Sequence, residues 1–196
     1  GVVSTFPVPV GNLGYVEGYS YEYNPEHAKE LVAASAYKGE EIPLMMTTAS
    51  LPRANEIAAA MQAMAADAGL FLKIDMVESA TYETNRTSGA YQVYLGAFNP
   101  TSSDFYKEVA VNLLKDKFQT GCIGEEMKTL AAEAAVTVDR DARAKLYEQI
   151  FTIEMTELAP GAYLYTAKFL YPIRSSVSNV TFFTDGTVVL KFAQKN

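Results

Sequence analysis

The amino-acid sequence predicts an α/β fold in which helices flank a mixed β-sheet, and two observations support this prediction. Residues 42–77 form a strand, helix, strand unit, because two segments of strand length enclose a segment whose apolar residues recur at helical spacing. Such units are nearly always parallel and right-handed. Residues 180–192 instead hold Asp185-Gly186 between two apolar runs, a dipeptide typical of tight hairpins, so antiparallel pairing is expected as well.

The first helix is predicted to follow an irregular lead-in. Residues 1–18 are rich in glycine, proline and valine and have no helical or strand period. Asn24 is then a suitable N-cap, Pro25 suits the first helical position, and Glu26 places a negative charge near the positive end of the helix. We expect this helix to stop before Gly39.

Three strands and a second helix are predicted next. Residues 42–48 (IPLMMTT) have the composition of a strand, and a helix is predicted to begin at Ser50-Leu51-Pro52 and to end at Gly69. The alternating residues 70–77 predict a second strand, and residues 91–97 predict a third. If the three strands are parallel, the loops after the first and the third open at one edge of the sheet.

Three further helices are predicted, the last of them capped by Asp139 and ending before Pro160. Their apolar positions are Phe105, Val109 and Leu113 in the first, Met127, Leu130, Ala131 and Ala134 in the second, and Leu146, Ile150 and Ile153 in the third. The aromatic residues 162–171 are expected to be extended, and strands are predicted at 180–183 and 187–192.

Length and charge limit the possible classes of protein. A chain of 196 residues corresponds to one domain, predicted here as residues 19–196 behind the lead-in 1–18. Acidic residues outnumber basic ones 23 to 16, and this net charge of −7 argues against a nucleic-acid partner. No apolar run approaches the ~20 residues that span a bilayer. Residues 1–10 lack the basic start of a secretion signal, so any signal is expected to have been removed or to belong to a longer protein.

Signals for catalysis are few. The only histidine, His27, follows a helix cap in a charged run, which is typical of an exposed residue. The single cysteine, Cys122, allows neither an internal disulfide nor a cysteine-based metal site. No serine-elbow, dinucleotide or Walker motif is present. We therefore predict no catalytic residue, no cofactor and no metal ligand, while a hydrolase or transferase built on carboxylates stays open as an alternative.

Binding has better support than catalysis. The turn at residues 47–53 (TTASLPR) is rich in hydroxyl groups and leads into a helix, so its free backbone amides, together with Arg53, are candidates for holding an anionic group. Residues 98–104 (FNPTSSD) offer an aromatic ring followed by small polar groups. The alternative is that Thr47, Ser50 and Ser103 only cap helices. The convergence of both turns at one sheet edge favours a ligand site.

Several segments, in order, match a known pattern. They are residues 23–32 (YNPEHAKELV), the helix at 51–70 with Gln62, the loop at 95–104 (LGAFNPTSSD), the helix at 139–147 (DRDARAKLY) with Arg143, the aromatic segment 160–171 and the exit at 174–177 (RSSV). Together they resemble family 5 extracellular solute-binding proteins, the peptide and nickel receptors of ABC importers.

The resemblance implies that the chain is a C-terminal lobe. Members of this family have a two-lobe, class II periplasmic-binding-protein-like fold that closes around its ligand, so residues 1–18 are expected to lead away from the hinge. The implied partners are the missing N-terminal lobe, ABC permease subunits and a small-molecule or peptide ligand. The implied location is extracytoplasmic, in the periplasm or at the surface of a bacterium, with any lipid anchor outside this chain.

The expected ligand-binding residues come from the resemblance and from the predicted strand ends. Phe98 stands where the family has a tryptophan and is expected to stack on the ligand, while Asn99 and Thr101 hydrogen-bond it. Thr48 and Arg53 are expected to contribute from the other turn, Arg53 toward an anionic portion. A wall formed by tyrosines is a further expectation, and its candidate residues are Tyr163 and Tyr165, with core packing as the alternative for one of them.

One departure from the family affects the choice of ligand. Thr101 stands where peptide-binding members have an aspartate that pairs with the amino terminus of the ligand, and a threonine cannot make a charge-assisted hydrogen bond. This departure disfavours ordinary free peptides, and a blocked peptide, a sugar, a metal chelate or another small solute fits equally well. Two alternatives stay open: a sensor or a peptide and pheromone chaperone of the same fold, or a fragment without an independent role.

Overall fold

The computed structural model describes residues 1–97, 104, 123–158, 161–183 and 186–196. The helices in these ranges are α1 (Pro25–Ala34), α2 (Ala54–Asp67), α3 (Ser79–Ser88), α4 (Glu125–Val136) and α5 (Arg140–Ile153), the last of which continues into a π-helical turn, Glu154–Leu158. The strands are β1 (Val2–Val3), β2 (Ile42–Met46), β3 (Leu72–Met76), β4 (Val93–Tyr94), β5 (Tyr165–Thr166), β6 (Val177–Ser178), β7 (Thr181–Phe182), β8 (Val188–Val189) and β9 (Gln194–Lys195). The helix predicted around Phe105, Val109 and Leu113 lies outside the described residues.

The chain packs as two compact units. The sheet unit comprises the described residues 22–97, and the terminal unit comprises the remaining described residues. Among the helices of the described ranges, none is long and apolar enough to cross a membrane.

The sheet unit contains a three-stranded sheet in which β2 lies between β3 and β4. Both neighbours run parallel to β2, which confirms the predicted strand, helix, strand unit. The register pairs Met46 with Met76 and Met45 with Tyr94. Because β2 is bordered on both sides, Leu44, Met45 and Met46 are fully buried.

Helix α2 packs against β3 through small residues. Ala54 and Ala58 are buried, so the helix axis lies close to the sheet, while Met64 on its outer side is 55% exposed. The predicted start at Ser50 is wrong, since the helix begins at Ala54. The physical reason is local competition: the hydroxyl groups of residues 47 and 50 hydrogen-bond nearby backbone N–H groups and favour a turn over a helix.

Helix α3 was not predicted because its sequence, SATYETNRTS, has no apolar period. Tyr82 is its only buried residue. The helix ends at Gly89, whose φ of +71° is a left-handed conformation that favours glycine. That glycine is the one sequence signal for this helix.

The terminal unit forms its core from α4, α5 and the lead-in. The predicted cap of α5 is confirmed, since the backbone N–H of Ala142 donates to Asp139 Oδ1 at 2.8 Å. Most of the lead-in is irregular, yet it contributes apolar side chains to the core. The buried cluster comprises Phe6, Val8, Leu13, Met127, Ala131, Ala134, Tyr147, Ile150, Phe151 and Met155.

Two close contacts tie the lead-in and residue 104 to α5. Gly14 has a φ of +91°, and a Cβ atom built on it would lie 2.7 Å from Cβ of Tyr147. Asp104 forms an isolated parallel bridge with Leu13 and accepts hydrogen bonds from Arg143 Nη2 at 2.5 Å and from the Tyr147 hydroxyl at 3.0 Å. Backbone and side-chain contacts therefore meet on the same face of α5.

The remaining strands form antiparallel pairs. The hairpin predicted around Gly186 is confirmed by the pairing of β7 with β8. Strand β6 pairs with β9, and β1 pairs with β5. The antiparallel pairs and the parallel sheet are thus separate sheets, within an overall α/β fold.

Candidate ligand-binding site

The carboxyl ends of β2 and β4 lie side by side in the sheet unit. Because Met45 is paired with Tyr94 in a parallel ladder, the chain leaves both strands at the same edge. The backbone N–H of Leu95 donates to the Met45 carbonyl at 2.9 Å, which extends this pairing by one residue. Three predicted site residues, Phe98, Asn99 and Thr101, follow this edge in the sequence and lie outside the described residues.

The turn after β2 is held together by its own hydroxyl groups. The backbone N–H of Thr47 donates to Ser50 Oγ at 3.0 Å, and that of Ala49 donates to Thr47 Oγ1 at 3.1 Å. Thr47 is buried, whereas Thr48 at the tip of the turn is exposed. Thr48 is therefore accessible to a ligand, and three backbone amides of the turn are already satisfied, because the N–H of Ser50 also donates to the Thr47 carbonyl at 3.2 Å.

Arg53 stands at the start of α2 in a left-handed conformation with a φ of +62°. Its side chain is 79% exposed, and its Nε donates to Glu56 Oε1 at 3.2 Å. The pKa of Glu56 is lowered, first by a hydrogen bond from its own backbone N–H and then by the Arg53 guanidinium. A carboxylate of the protein thus occupies the positive end of α2, and an anionic ligand would compete with it. The ligand role of Arg53 stays a prediction.

Tyr82 contacts the sheet edge where β4 ends, and the sequence analysis did not predict this role. Its hydroxyl donates to the Leu95 carbonyl at 3.1 Å, and its ring meets the Tyr94 ring edge to face at 6.1 Å between centroids. Burial raises the pKa of Tyr82 to about 12, so the hydroxyl stays protonated and able to donate at neutral pH. The available signal was an aromatic residue in an otherwise polar segment that precedes a glycine.

Tyr163 and Tyr165 belong to the terminal unit. The Tyr163 hydroxyl donates to a carboxylate oxygen of Glu154, and its ring packs against the buried core cluster. Tyr165 lies in β5 opposite Val3. Both rings are half-buried, and their proposed contact with a ligand stays a prediction.

Glu154 is a partly buried carboxylate in the π-helical turn. Burial raises its pKa, and the hydrogen bond from Tyr163 opposes that shift. Nearby, the Tyr21 hydroxyl donates to the Met155 carbonyl at 2.7 Å, and the pKa of Tyr21 is raised by burial and then by Glu154. Folding therefore shifts Glu154 toward its protonated form relative to the unfolded chain.

Replacing Glu154 with glutamine is expected to stabilise the chain increasingly as the pH rises. An acid whose pKa is raised by folding contributes stability below its unfolded pKa and loses it as the pH rises through the folded pKa. The amide cannot ionise and still accepts a hydrogen bond from Tyr163. Urea unfolding between about pH 4 and 8 measures the difference from the parent protein. The matched control is Glu157→Gln at an exposed position of the same turn, and an equal pH dependence in both variants would contradict the expectation.

His27 lies on the surface, as predicted. Its side chain is 61% exposed, and its Nδ1 lies 3.3 Å from Glu30 Oε2. Cys122 lies outside the described residues. Among the residues that the structure describes, no group of three or more histidine, cysteine, aspartate or glutamate side chains is placed to hold a metal ion.

Comparison with solved structures shows which fold this is. HbpA2 from Haemophilus parasuis superposes with a TM-score of 0.82 at 23% identity, covering 100% of this chain and 40% of that one. NikA from Staphylococcus aureus, in complex with Ni(L-His)2, superposes with a TM-score of 0.74 at 21% identity, covering 94% of this chain and 40% of that one. DppA from Helicobacter pylori, in complex with the peptide STSA, superposes with a TM-score of 0.71 at 21% identity, covering 83% of this chain and 33% of that one. The fold is that of periplasmic binding proteins, and the chain spans about 40% of the length of HbpA2.

A family model gives the classification. None of the curated proteins compared matches the chain. The model described as "Bacterial extracellular solute-binding proteins, family 5 Middle" matches residues 1–117, which is more than half of the chain. These residues include the strand, helix, strand unit and the sheet edge described above, and the family consists of binding proteins, not enzymes. The chain belongs to the family 5 bacterial extracellular solute-binding proteins.

Proposed function

We propose that the chain is the ligand-facing C-terminal lobe of an extracytoplasmic receptor that delivers a small solute, of the oligopeptide or peptide-like class, to an ABC importer. The parallel pairing of Met45 with Tyr94 carries the proposal, because β2 and β4 then end at one sheet edge, and in the sequence each of them is followed by a polar segment, in a chain of this family. Residues 19–196 form the lobe, and residues 1–18 lead from the hinge. The other lobe and the contacts with the permease belong to the rest of the protein.

The two turns divide the contacts with the ligand. Phe98 stacks on an apolar part of the solute, and Asn99 and Thr101 hydrogen-bond its polar groups. Thr48 adds a hydroxyl from the exposed tip of the other turn. Arg53 meets an anionic portion, which requires the ligand to displace the carboxylate of Glu56.

Closure of two lobes is the proposed mechanism. A ligand that touches both lobes stabilises the closed state by its differential affinity for that state, and the permease recognises the closed receptor. One lobe alone offers only part of the contacts. Titration calorimetry with the peptide STSA and its N-acetylated form is therefore expected to give much weaker binding to this chain than to a complete receptor that contains it. Equal affinity of this chain and of the complete receptor would contradict the two-lobe mechanism.

Thr101 provides a test of the ligand class. The solved relatives include complexes with the peptide STSA and with the dipeptide Met-Leu, which supports peptides as the solute class. Thr101→Asp in the complete receptor is expected to raise the affinity for free STSA by about tenfold or more, because a charge-assisted hydrogen bond to an ammonium group adds ~1.5–3 kcal/mol. The N-acetylated peptide lacks that ammonium and is the matched control. An equal gain for both peptides would contradict the proposed role of residue 101.

A further inference from the structure

Helix α3 contacts the sheet edge at which β2 and β4 end through the side chain of Tyr82. Tyr82 is 8% exposed, and its hydroxyl donates to the Leu95 carbonyl at 3.1 Å. The N–H of Leu95 is meanwhile held by β2 through the Met45 carbonyl. The last residue before the chain leaves the sheet is thus fixed from both sides, by the central strand and by α3.

Gly96 follows directly, and the Tyr82 hydroxyl explains why a glycine stands there. A Cβ atom on Gly96 would lie 2.6 Å from Tyr82 Oη, well inside contact distance. Gly96 is not among the glycines with a positive φ, so the available space and not the backbone conformation requires a glycine here. The absence of a side chain at Gly96 therefore leaves the space that the Tyr82 hydroxyl occupies.

The ring of Tyr82 is itself held in place. The Tyr94 ring packs against it edge to face, and the Arg86 guanidinium lies 5.9 Å from its centroid. Arg86 Nη2 also donates to Glu83 Oε2 at 2.6 Å within the same helix. Because the ring is supported in this way, we expect a side chain added at Gly96 to displace the backbone and not the ring.

We propose that Tyr82 and Gly96 form a latch that sets the direction in which the chain leaves β4, and that both are positioning residues for ligand binding. This inference rests on the proposed function, because the latch matters for binding only if residues 98–101 contact the solute. The ligand need not touch either latch residue. Affinity then depends on the latch through pre-organisation of the segment that follows it.

The test uses a fluorescent reporter and a double-mutant cycle. The sequence contains no tryptophan, so Phe98→Trp gives the 196-residue chain a single tryptophan beyond the latch, whose emission can be excited separately from that of the tyrosines. In this background we expect Gly96→Ala to shift the emission maximum and its quenching by acrylamide. Adding Tyr82→Phe removes the colliding oxygen. It is expected to restore most of the emission maximum and of the acrylamide quenching measured for Phe98→Trp alone.

Binding gives the second readout. In the complete receptor with Phe98 intact, Gly96→Ala is expected to lower the affinity for N-acetylated STSA by about tenfold or more, and Tyr82→Phe to recover part of that loss. The matched control is Tyr91→Phe, which removes a hydroxyl that donates to Asp75 in β3, on the far side of β2 from β4. We expect this control to change neither the emission nor the affinity.

The outcomes separate the latch from the proposed function. If Gly96→Ala has the same effect with and without Tyr82→Phe, in emission or in folding, the latch is wrong. Should Gly96→Ala fail to fold, recovery of folding by Tyr82→Phe supports the same coupling, and no recovery overturns it. If no peptide binds any variant while the emission cycle shows coupling, the proposed function fails and the latch stands.

Discussion

Replacing Gly14 with alanine is expected to lower the free energy of unfolding by about 3 kcal/mol or more, because two penalties combine at this position. The φ of +91° is strained for any residue with a side chain. The added carbon would also lie 2.7 Å from Cβ of Tyr147, an atom fixed next to the α5 backbone. Tyr147 is fully buried and cannot move away. Urea unfolding followed by circular dichroism measures the loss.

Gly11 offers a matched control in the same lead-in. Its φ is +86°, close to that of Gly14, but nothing lies within 4 Å of a Cβ atom built on it. Gly11→Ala is therefore expected to cost only the backbone penalty, about 1–2 kcal/mol. The difference between the two variants isolates the contact with α5. Equal losses would mean that the lead-in does not press against Tyr147.

Replacing Arg143 with methionine is expected to lower the free energy of unfolding by about 2–3 kcal/mol. The guanidinium donates to Asp104 Oδ2 at 2.5 Å and to the Thr137 carbonyl at 2.8 Å. The two charged side chains are only 19% and 29% exposed, so loss of the arginine leaves a poorly solvated carboxylate. Breaking a fully buried pair costs ~3–5 kcal/mol, and partial exposure reduces that figure.

A double-mutant cycle with Asp104→Asn tests the origin of that loss. If the pair is coupled, the double variant loses less than the sum of the two single variants. Lys128→Met is the matched control, because Lys128 pairs with Glu125 at 3.0 Å on an exposed surface of α4. That change is expected to cost less than about 0.5 kcal/mol. Strict additivity of the Arg143 and Asp104 variants would show that the pair contributes nothing by itself.

Much of the fold was predictable because its signals are local. Asn24 caps α1 by accepting the N–H of His27 at 3.0 Å, and Asp139 caps α5 in the same way, so each helix start depends on three or four adjacent residues. The parallel order of β2 and β3 follows from the helix between them. These features need no knowledge of distant contacts.

The features that were missed depend on partners far along the sequence or on competing local bonds. Helix α3 is polar except for Ala80 and Tyr82, and the hydrogen-bond partner of Tyr82, Leu95, lies 13 residues further on. The start of α2 was placed too early because hydroxyl groups in the preceding turn take up backbone donors. Such choices depend on tertiary packing or on side-chain rotamers, and hydrophobic periodicity reports neither.

The candidate site was predictable only in outline. The sheet edge follows from the order of elements, and the family pattern singles out Phe98 and Thr101. The pairing of Arg53 with Glu56 and that of Tyr163 with Glu154 changes what these side chains offer a ligand. Neither pairing is visible in composition or spacing, because any of several nearby carboxylates fits the pattern equally well.

The central strand of the sheet also determines how the chain withstands chemical damage. Met45 and Met46 are completely shielded from solvent, whereas Met64 on the outside of α2 is 55% exposed. Peroxide therefore reaches Met64 before Met45 and Met46, and the sulfoxide of Met64 lies in water. Conversion of Met45 or Met46 requires the sheet to open, so sulfoxide at those two positions marks molecules in which β2 has been exposed to solvent, until a reductase removes the oxygen.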